Sequence, residues 1–198
     1  SEICSMMFTN FDKDRFYKIC DSLSIPVNNV KNVKSLSDGN RMKIMLSSVL
    51  ARETDLLILD EPASPLDPVM RDRLNDIIRD YISKGDGEKS VFFSTHNIAD
   101  MESVTDYAII MHKGSIIEEG FVEELKEQYI IVKGEKEDVS VARDVLISMS
   151  ESNFGFEGLC KTDDLDKFAG INIACEIPTL SQICVGILKK HSSLKTLI

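Results

Sequence analysis

Apolar residues recur along this chain in two periods, and the alternation between them sketches its elements. Phe16, Ile19, Cys20 and Leu23 fall at helical spacing, which predicts an amphipathic helix over residues 12–23 with Asp12 as its N-cap. Pro26, Asn28 and Asn29 mark a polar loop. A second helix is predicted after Ser37, with Met42, Met45, Leu46, Val49 and Leu50 as its buried stripe. Leu56-Leu57-Ile58-Leu59 is then a continuous apolar run, the pattern of a strand buried on both faces inside a parallel sheet. Asp67-Pro68 supplies an N-cap carboxylate and a proline at the first helical position. Met70, Leu74, Ile77, Ile78 and Tyr81 carry that helix toward a stop near Gly85. Val91-Phe92-Phe93 reads as another short buried strand, and residues 107–112 and 115–118 as a hairpin across Lys113-Gly114.

From about Tyr129 the pattern changes, which predicts a boundary there, with one domain over residues 1–128 and a second over 129–198. Residues 129–132 read as a strand, and Ala142, Val145, Leu146 and Met149 as one helix face. Ile171, Ile173, Cys175 and Ile177 alternate as in a half-buried strand. Thr179-Leu180-Ser181-Gln182 is a capping box opening a last helix, with Ile183, Cys184, Ile187 and Leu188 facing inward. This second domain reads as small α+β with no clustered catalytic residue types.

Composition narrows the function. Asp and Glu total 33 against 23 Lys and Arg, a formal net charge of −10, so no nucleic-acid partner is expected. The cysteines Cys4, Cys20, Cys160, Cys175 and Cys184 form no C-x-x-C pair and read as reduced core thiols. No apolar run approaches the roughly 20 residues of a membrane-spanning helix, and no signal peptide is visible. The expectation is a cytoplasmic protein that reaches a membrane only through a partner.

Candidate chemistry sits in three places. Asp60 and Glu61 end the apolar run, at the strand end where open α/β sheets bind ligands. One carboxylate can hold a metal ion while its neighbour orients or deprotonates water. Leu36-Ser37-Asp38-Gly39-Asn40 precedes a helix; Ser37 there is either an anion ligand beside free N–H groups or simply the helix N-cap. His96 ends Ser94-Thr95-His96, where it is either a ligand for a terminal phosphate or attacking water, or an ordinary solvated polar residue.

Taken in order, residues 36–40, 56–61, 64–67 and 96 resemble the signature loop, Walker B, D-loop and H-loop histidine of the ATP-binding cassette (ABC) ATPases. The C-terminal unit resembles that of bacterial exporter ATPases of the bacitracin-export and multidrug type. The resemblance implies an α/β P-loop NTPase domain with a mostly parallel sheet and a helical signature segment, followed by a small α+β domain. It also implies ATP and Mg²⁺ as cofactors. Asp60 would hold Mg²⁺ through water, Glu61 would be the general base, and His96 would contact the γ-phosphate. Ser37, Gly39 and Asn40 would bind the γ-phosphate of ATP held by the opposite subunit, and Asp67 would lie at that interface. The partners implied are a second ATPase subunit, in a head-to-tail dimer, and an integral membrane permease.

Three departures from the family pattern matter. Asp38 and Asn40 are unusual in the signature, and Asp38 places a negative charge where phosphate is expected. Pro65 stands where the D-loop usually has glycine. No G-x-x-x-x-G-K-[ST] occurs in the sequence; Gly87-Glu88-Lys89-Ser90 lacks the Gly-Lys step. The expectation is an N-terminally truncated cassette, inactive alone, whose full-length parent hydrolyses ATP to power a bacterial transporter. The alternatives are a DNA-repair, chromosome-organising or ribosome-associated ATPase, or a non-catalytic module that pairs with an intact cassette. Missing heptad arms and acidic charge disfavour the first group.

Overall fold

A computed structural model of the chain describes residues 2–25 and 36–192. The loop expected around Pro26, Asn28 and Asn29 lies outside the described residues. The chain divides into two compact units, residues 1–104 and 105–198.

In the first unit a short helix α1 (Glu2–Met7) precedes α2 (Lys13–Ser22), α3 (Asp38–Leu50), β1 (Leu56–Asp60), α4 (Pro68–Ser83) and β2 (Ser90–Ser94). Each longer helix starts at the residue its sequence predicts. The side chains of Asp12, Ser37 and Asp67 accept from the backbone N–H of Arg15, Asn40 and Met70, at 3.0, 3.3 and 3.1 Å. Such bonds satisfy N–H groups that a helix start leaves orphaned. The core joins Leu46 and Leu50 of α3, Leu57 and Leu59 of β1, and Leu74, Ile78 and Tyr81 of α4. A neighbouring cluster gathers Phe16, Cys20, Leu23, Ile25 and Ala51. Met45, expected in the α3 stripe, is exposed, and Ser47 is buried instead. Ser47 keeps its hydroxyl satisfied by donating to Lys43 O at 2.8 Å.

β1 and β2 pair in parallel, with Ile58 opposite Phe92 and Asp60 opposite Ser94. The expectation of two strands buried on both faces fails here. Leu57 and Leu59 are buried, while Leu56 is 53% exposed, Ile58 70% and Phe92 58%. An apolar run shows that both faces tolerate cover; which face is covered depends on what packs there, and α3 and α4 cover one.

The second unit opens with the hairpin β3 (Tyr107–His112) and β4 (Ser115–Phe121), followed by α5 (Val122–Gln128) and β5 (Tyr129–Gly134). Lys113 and Gly114 turn the hairpin with φ of 49° and 79°, the left-handed pair that a two-residue loop requires. Then come α6 (Val139–Val145), β6 (Ser148–Glu151), β7 (Phe156–Lys161), β8 (Ile173–Glu176) and α7 (Leu180–His191). The sheet order is β6-β7-β5-β8, all antiparallel. Among the described residues parallel pairing is confined to β1–β2. The hairpin belongs to the compact unit that begins at residue 105, although the sequence pattern changes only at Tyr129. Two bonds show why: Val122 N donates to Asp106 O at 2.9 Å, and Tyr129 Oη donates to Glu118 Oε2 at 2.5 Å.

Met149, expected on a helix face, lies in β6. α6 stops at Val145, and Ile147 N turns to bond Leu159 O of β7 at 2.8 Å. β7, with Gly158 in its middle, carries no clean alternation in the sequence. The capping box at α7 is present in full, with Thr179 and Gln182 bonded reciprocally. Cys20, Cys160 and Cys184 are buried as expected, but Cys175 is exposed and Cys4 half-buried. Burial and the nearby Asp164 carboxylate push the Cys160 thiol up to about 11.

Candidate functional site

The parallel register of β1 and β2 delivers Asp60 and Ser94 side by side at their C-terminal ends. Ser94 Oγ donates to Asp60 Oδ1. The chain then turns at Glu61, whose φ of 48° lies in the left-handed region. A residue with a side chain pays on the order of 1 kcal/mol there. The turn is held by Glu61 N, which donates to Ser94 O at 3.1 Å.

Glu61 and His96 meet directly. His96 Nδ1 lies 2.7 Å from Glu61 Oε1, and the His96 backbone N–H donates to the same oxygen at 2.9 Å. The other oxygen, Glu61 Oε2, is buried with no hydrogen-bond partner. A buried, unsatisfied carboxylate oxygen is a strong acceptor awaiting a donor such as water. The imidazole itself is 74% exposed and available to a ligand.

Among the described residues no group of three or more His, Cys, Asp or Glu side chains could hold a metal ion by itself. Asp60, whose Oδ1 accepts from Ser94 Oγ, could offer a single carboxylate to a cation that completes its shell with water and phosphate oxygens. Mg²⁺ at nucleotide sites behaves this way. Such an ion would supply charge neutralisation for phosphate.

Ser37, Gly39 and Asn40 form the first turn of α3. Ser37 Oγ accepts from Asn40 N, so its N-cap role is occupied locally. A Cβ on Gly39 would lie 3.2 Å from Pro65 O, so the absence of a side chain lets the α3 start approach the Ser64–Asp67 turn. Asp38 does not confront this region alone: its carboxylate is 2.7 Å from Arg41 Nη2. Asp67 caps α4. Glu61, His96, Asp60 and Ser94 thus form one grouping, while Gly39 and Pro65 join the other two motifs.

Sequence reasoning missed Arg71, Asn97 and Asp100. Arg71 Nη1 lies 2.6 Å from Asp100 Oδ2, and Arg71 Nε donates to Leu66 O at 2.9 Å. Asn97 Nδ2 donates to the same Asp100 oxygen. Only the order Asp67-Pro68…Arg71, one turn into a helix, hinted that Arg71 would face back toward the turn.

A parallel strand pair ends in adjacent carboxylates, with a histidine from the second strand's end on one of them, an arrangement able to orient a water. Residues 4–64 match the family model described as ABC transporter. The chain is 32% identical over 110 residues to an uncharacterized ABC transporter ATP-binding protein of Alkalihalophilus pseudofirmus, covering 54% of this chain and 40% of that protein. It is 35% identical over 99 residues to another uncharacterized ABC transporter ATP-binding protein, from Bacillus subtilis, covering 50% and 32% respectively. A solved structure of an ATP binding subunit of an ABC transporter shares the fold, with a TM-score of 0.52 and 24% identity over 59% of this chain and 47% of that one. The chain thus spans well under half the length of these relatives.

Proposed function

We propose that this chain carries the hydrolytic half of the ATP site in an ATP-binding subunit that powers a bacterial ABC transporter. One observation carries the reading: Glu61, held by His96 through Oε1, keeps Oε2 buried and unpartnered beside Asp60 at the strand ends. A water there can give its proton to Oε2 while attacking a terminal phosphate. Asp60 would hold Mg²⁺ through water, and His96, mostly exposed beyond its bond to Glu61, would reach the γ-phosphate.

The first turn of α3, with Ser37, Gly39 and Asn40, would meet the γ-phosphate of a nucleotide on an opposing subunit, with Asp67 at that contact. Pairing of Asp38 with Arg41 supports this reading, because it compensates the carboxylate that would otherwise repel phosphate. Energy coupling would run to a membrane permease, placing the subunit at the cytoplasmic face of the membrane; no described helix is long and apolar enough to cross one.

The sequence contains no G-x-x-x-x-G-K-[ST], so the cradle for the α- and β-phosphates must come from other residues. The test compares the chain alone with the chain fused behind a segment bearing that motif from a relative. Mg²⁺-dependent ATP turnover is expected only in the fusion. Turnover by the chain alone, or none in a folded fusion that binds ATP, contradicts the proposal.

A further inference from the structure

We propose that Arg71 and Asp100 are positioning residues for the Glu61–His96 pair, a role that rests on the reading of that pair as catalytic. Apolar packing takes hold of the segment after His96 only at Met101, which is buried in the core; before it the imidazole is mostly exposed and Asn97 and Asp100 are half-buried, so their placement is set by polar contacts. One carboxylate gathers the polar contacts between them. Asp100 Oδ2 takes Arg71 Nη1 at 2.6 Å and also the Asn97 amide, while Asp100 O takes Asn75 Nδ2 at 2.8 Å. Asn97 N in turn bonds Thr95 Oγ1 at 3.0 Å. Both neighbours of His96 are therefore fixed, and the histidine backbone is left at the distance at which its N–H meets Glu61.

Arg71 does a second thing with the same guanidinium. Its Nε donates to Leu66 O, inside the turn that leads from Glu61 to Asp67. Ser64 N bonds Glu61 O at 3.2 Å and Leu66 N bonds Ala63 O at 3.1 Å, so that turn begins at the catalytic candidate itself. One planar, permanently charged fork thus joins the turn after Glu61 to the turn after His96. Charge-assisted bonds of this kind are directional as well as strong, so they set position and not merely proximity. An ion pair serving only to steady α4 would need neither the bond to Leu66 O nor the Asn97 amide on Asp100. Lysine could not replace Arg71, because a point charge cannot hold the two turns in a fixed fork.

The test is nitrogen NMR on the full 198-residue chain, comparing wild type with Arg71→Gln and Asn97→Ala. In both variants the His96 amide is expected to exchange at least tenfold faster. The His96 Nδ1 resonance is expected to move toward that of a free imidazole. Protection of Leu74 and Ile78, in the core of α4, should stay unchanged. Should Arg71→Gln also lose protection at Leu74 and Ile78, Asn97→Ala, which removes only one half-buried amide, decides alone. Unchanged His96 signals in a folded variant overturn the proposal. Neither signal needs nucleotide turnover, so the outcome is independent of whether Glu61 proves to be the general base.

Discussion

Replacing Leu57 by alanine should destabilise the first unit several times more than replacing its neighbour Ile58, although both lie in the same apolar run. Leu57 is 2% exposed and packs in the core with α3 and α4 residues. Leucine-to-alanine changes at such sites cost about 2–5 kcal/mol, from lost transfer energy plus the cavity left behind. Ile58 is 70% exposed, so about a third of its surface is at stake. Full burial of an isoleucine is worth about 1.5–3 kcal/mol, so Ile58→Ala should cost about 0.5–1 kcal/mol. With a urea slope of roughly 2 kcal/mol per molar, Leu57→Ala shifts the midpoint down by about 1–2.5 M and Ile58→Ala by at most about 0.5 M. Urea-dependent hydrogen exchange in peptides spanning β1 and α4 reads this for the first unit alone. Equal costs at the two positions would mean that β1 is covered on both faces, and would refute the half-buried strand.

Three further outcomes follow from individual contacts. The Tyr129 phenol is pushed well above its ordinary value of 10.0, first by burial and then by Glu118, so the folded form keeps a proton that the unfolded form releases. Stability of the second unit should hold below about pH 10 and fall as pH rises beyond it; Tyr129→Phe should flatten that alkaline slope in thermal melts, and an unchanged slope would count against the contact. Gly39→Ala should push the α3 start away from Pro65 O, 3.2 Å from the new methyl, and show as amide shifts in residues 64–67; shifts confined to α3 would deny the approach. Iodoacetamide at pH 8 should label Cys175 first and leave Cys160 unmodified until the unit unfolds, because the buried thiol ionises only near pH 11.

Much of the local structure was legible because its causes are local. Asp12, Ser37, Asp67 and Thr179 cap the helices that follow them, as short polar side chains beside free N–H groups do anywhere. Lys113-Gly114 likewise announced its turn. What the sequence hid depends on distant partners. The exposure of Ile58 and Phe92 could not be read from an apolar run that fits either face. Met149 fell into β6 because Ile147 found Leu159 O, a partner its helical periodicity does not reveal. At the site, residue types and order pointed to Asp60, Glu61 and His96, but not to the 2.7 Å contact between the last two. The left-handed backbone of Glu61 carries no sequence signal either, since glycine would be the ordinary choice there. Arg71 and Asp100, from α4 and the turn after β2, meet only once β2 has been laid beside β1.

The most direct measurement is ATP binding and turnover by the fusion carrying a G-x-x-x-x-G-K-[ST] segment, with and without Glu61→Gln. Glutamine keeps the size of the side chain and an acceptor for His96 but is far too weak a base to take a proton from water. The account predicts ATP binding within about threefold of the parent and turnover at least about 100-fold lower, the lower end of the contribution a general base makes. Turnover within threefold of the parent, with ATP still bound, would contradict it and remove Glu61 from the chemistry.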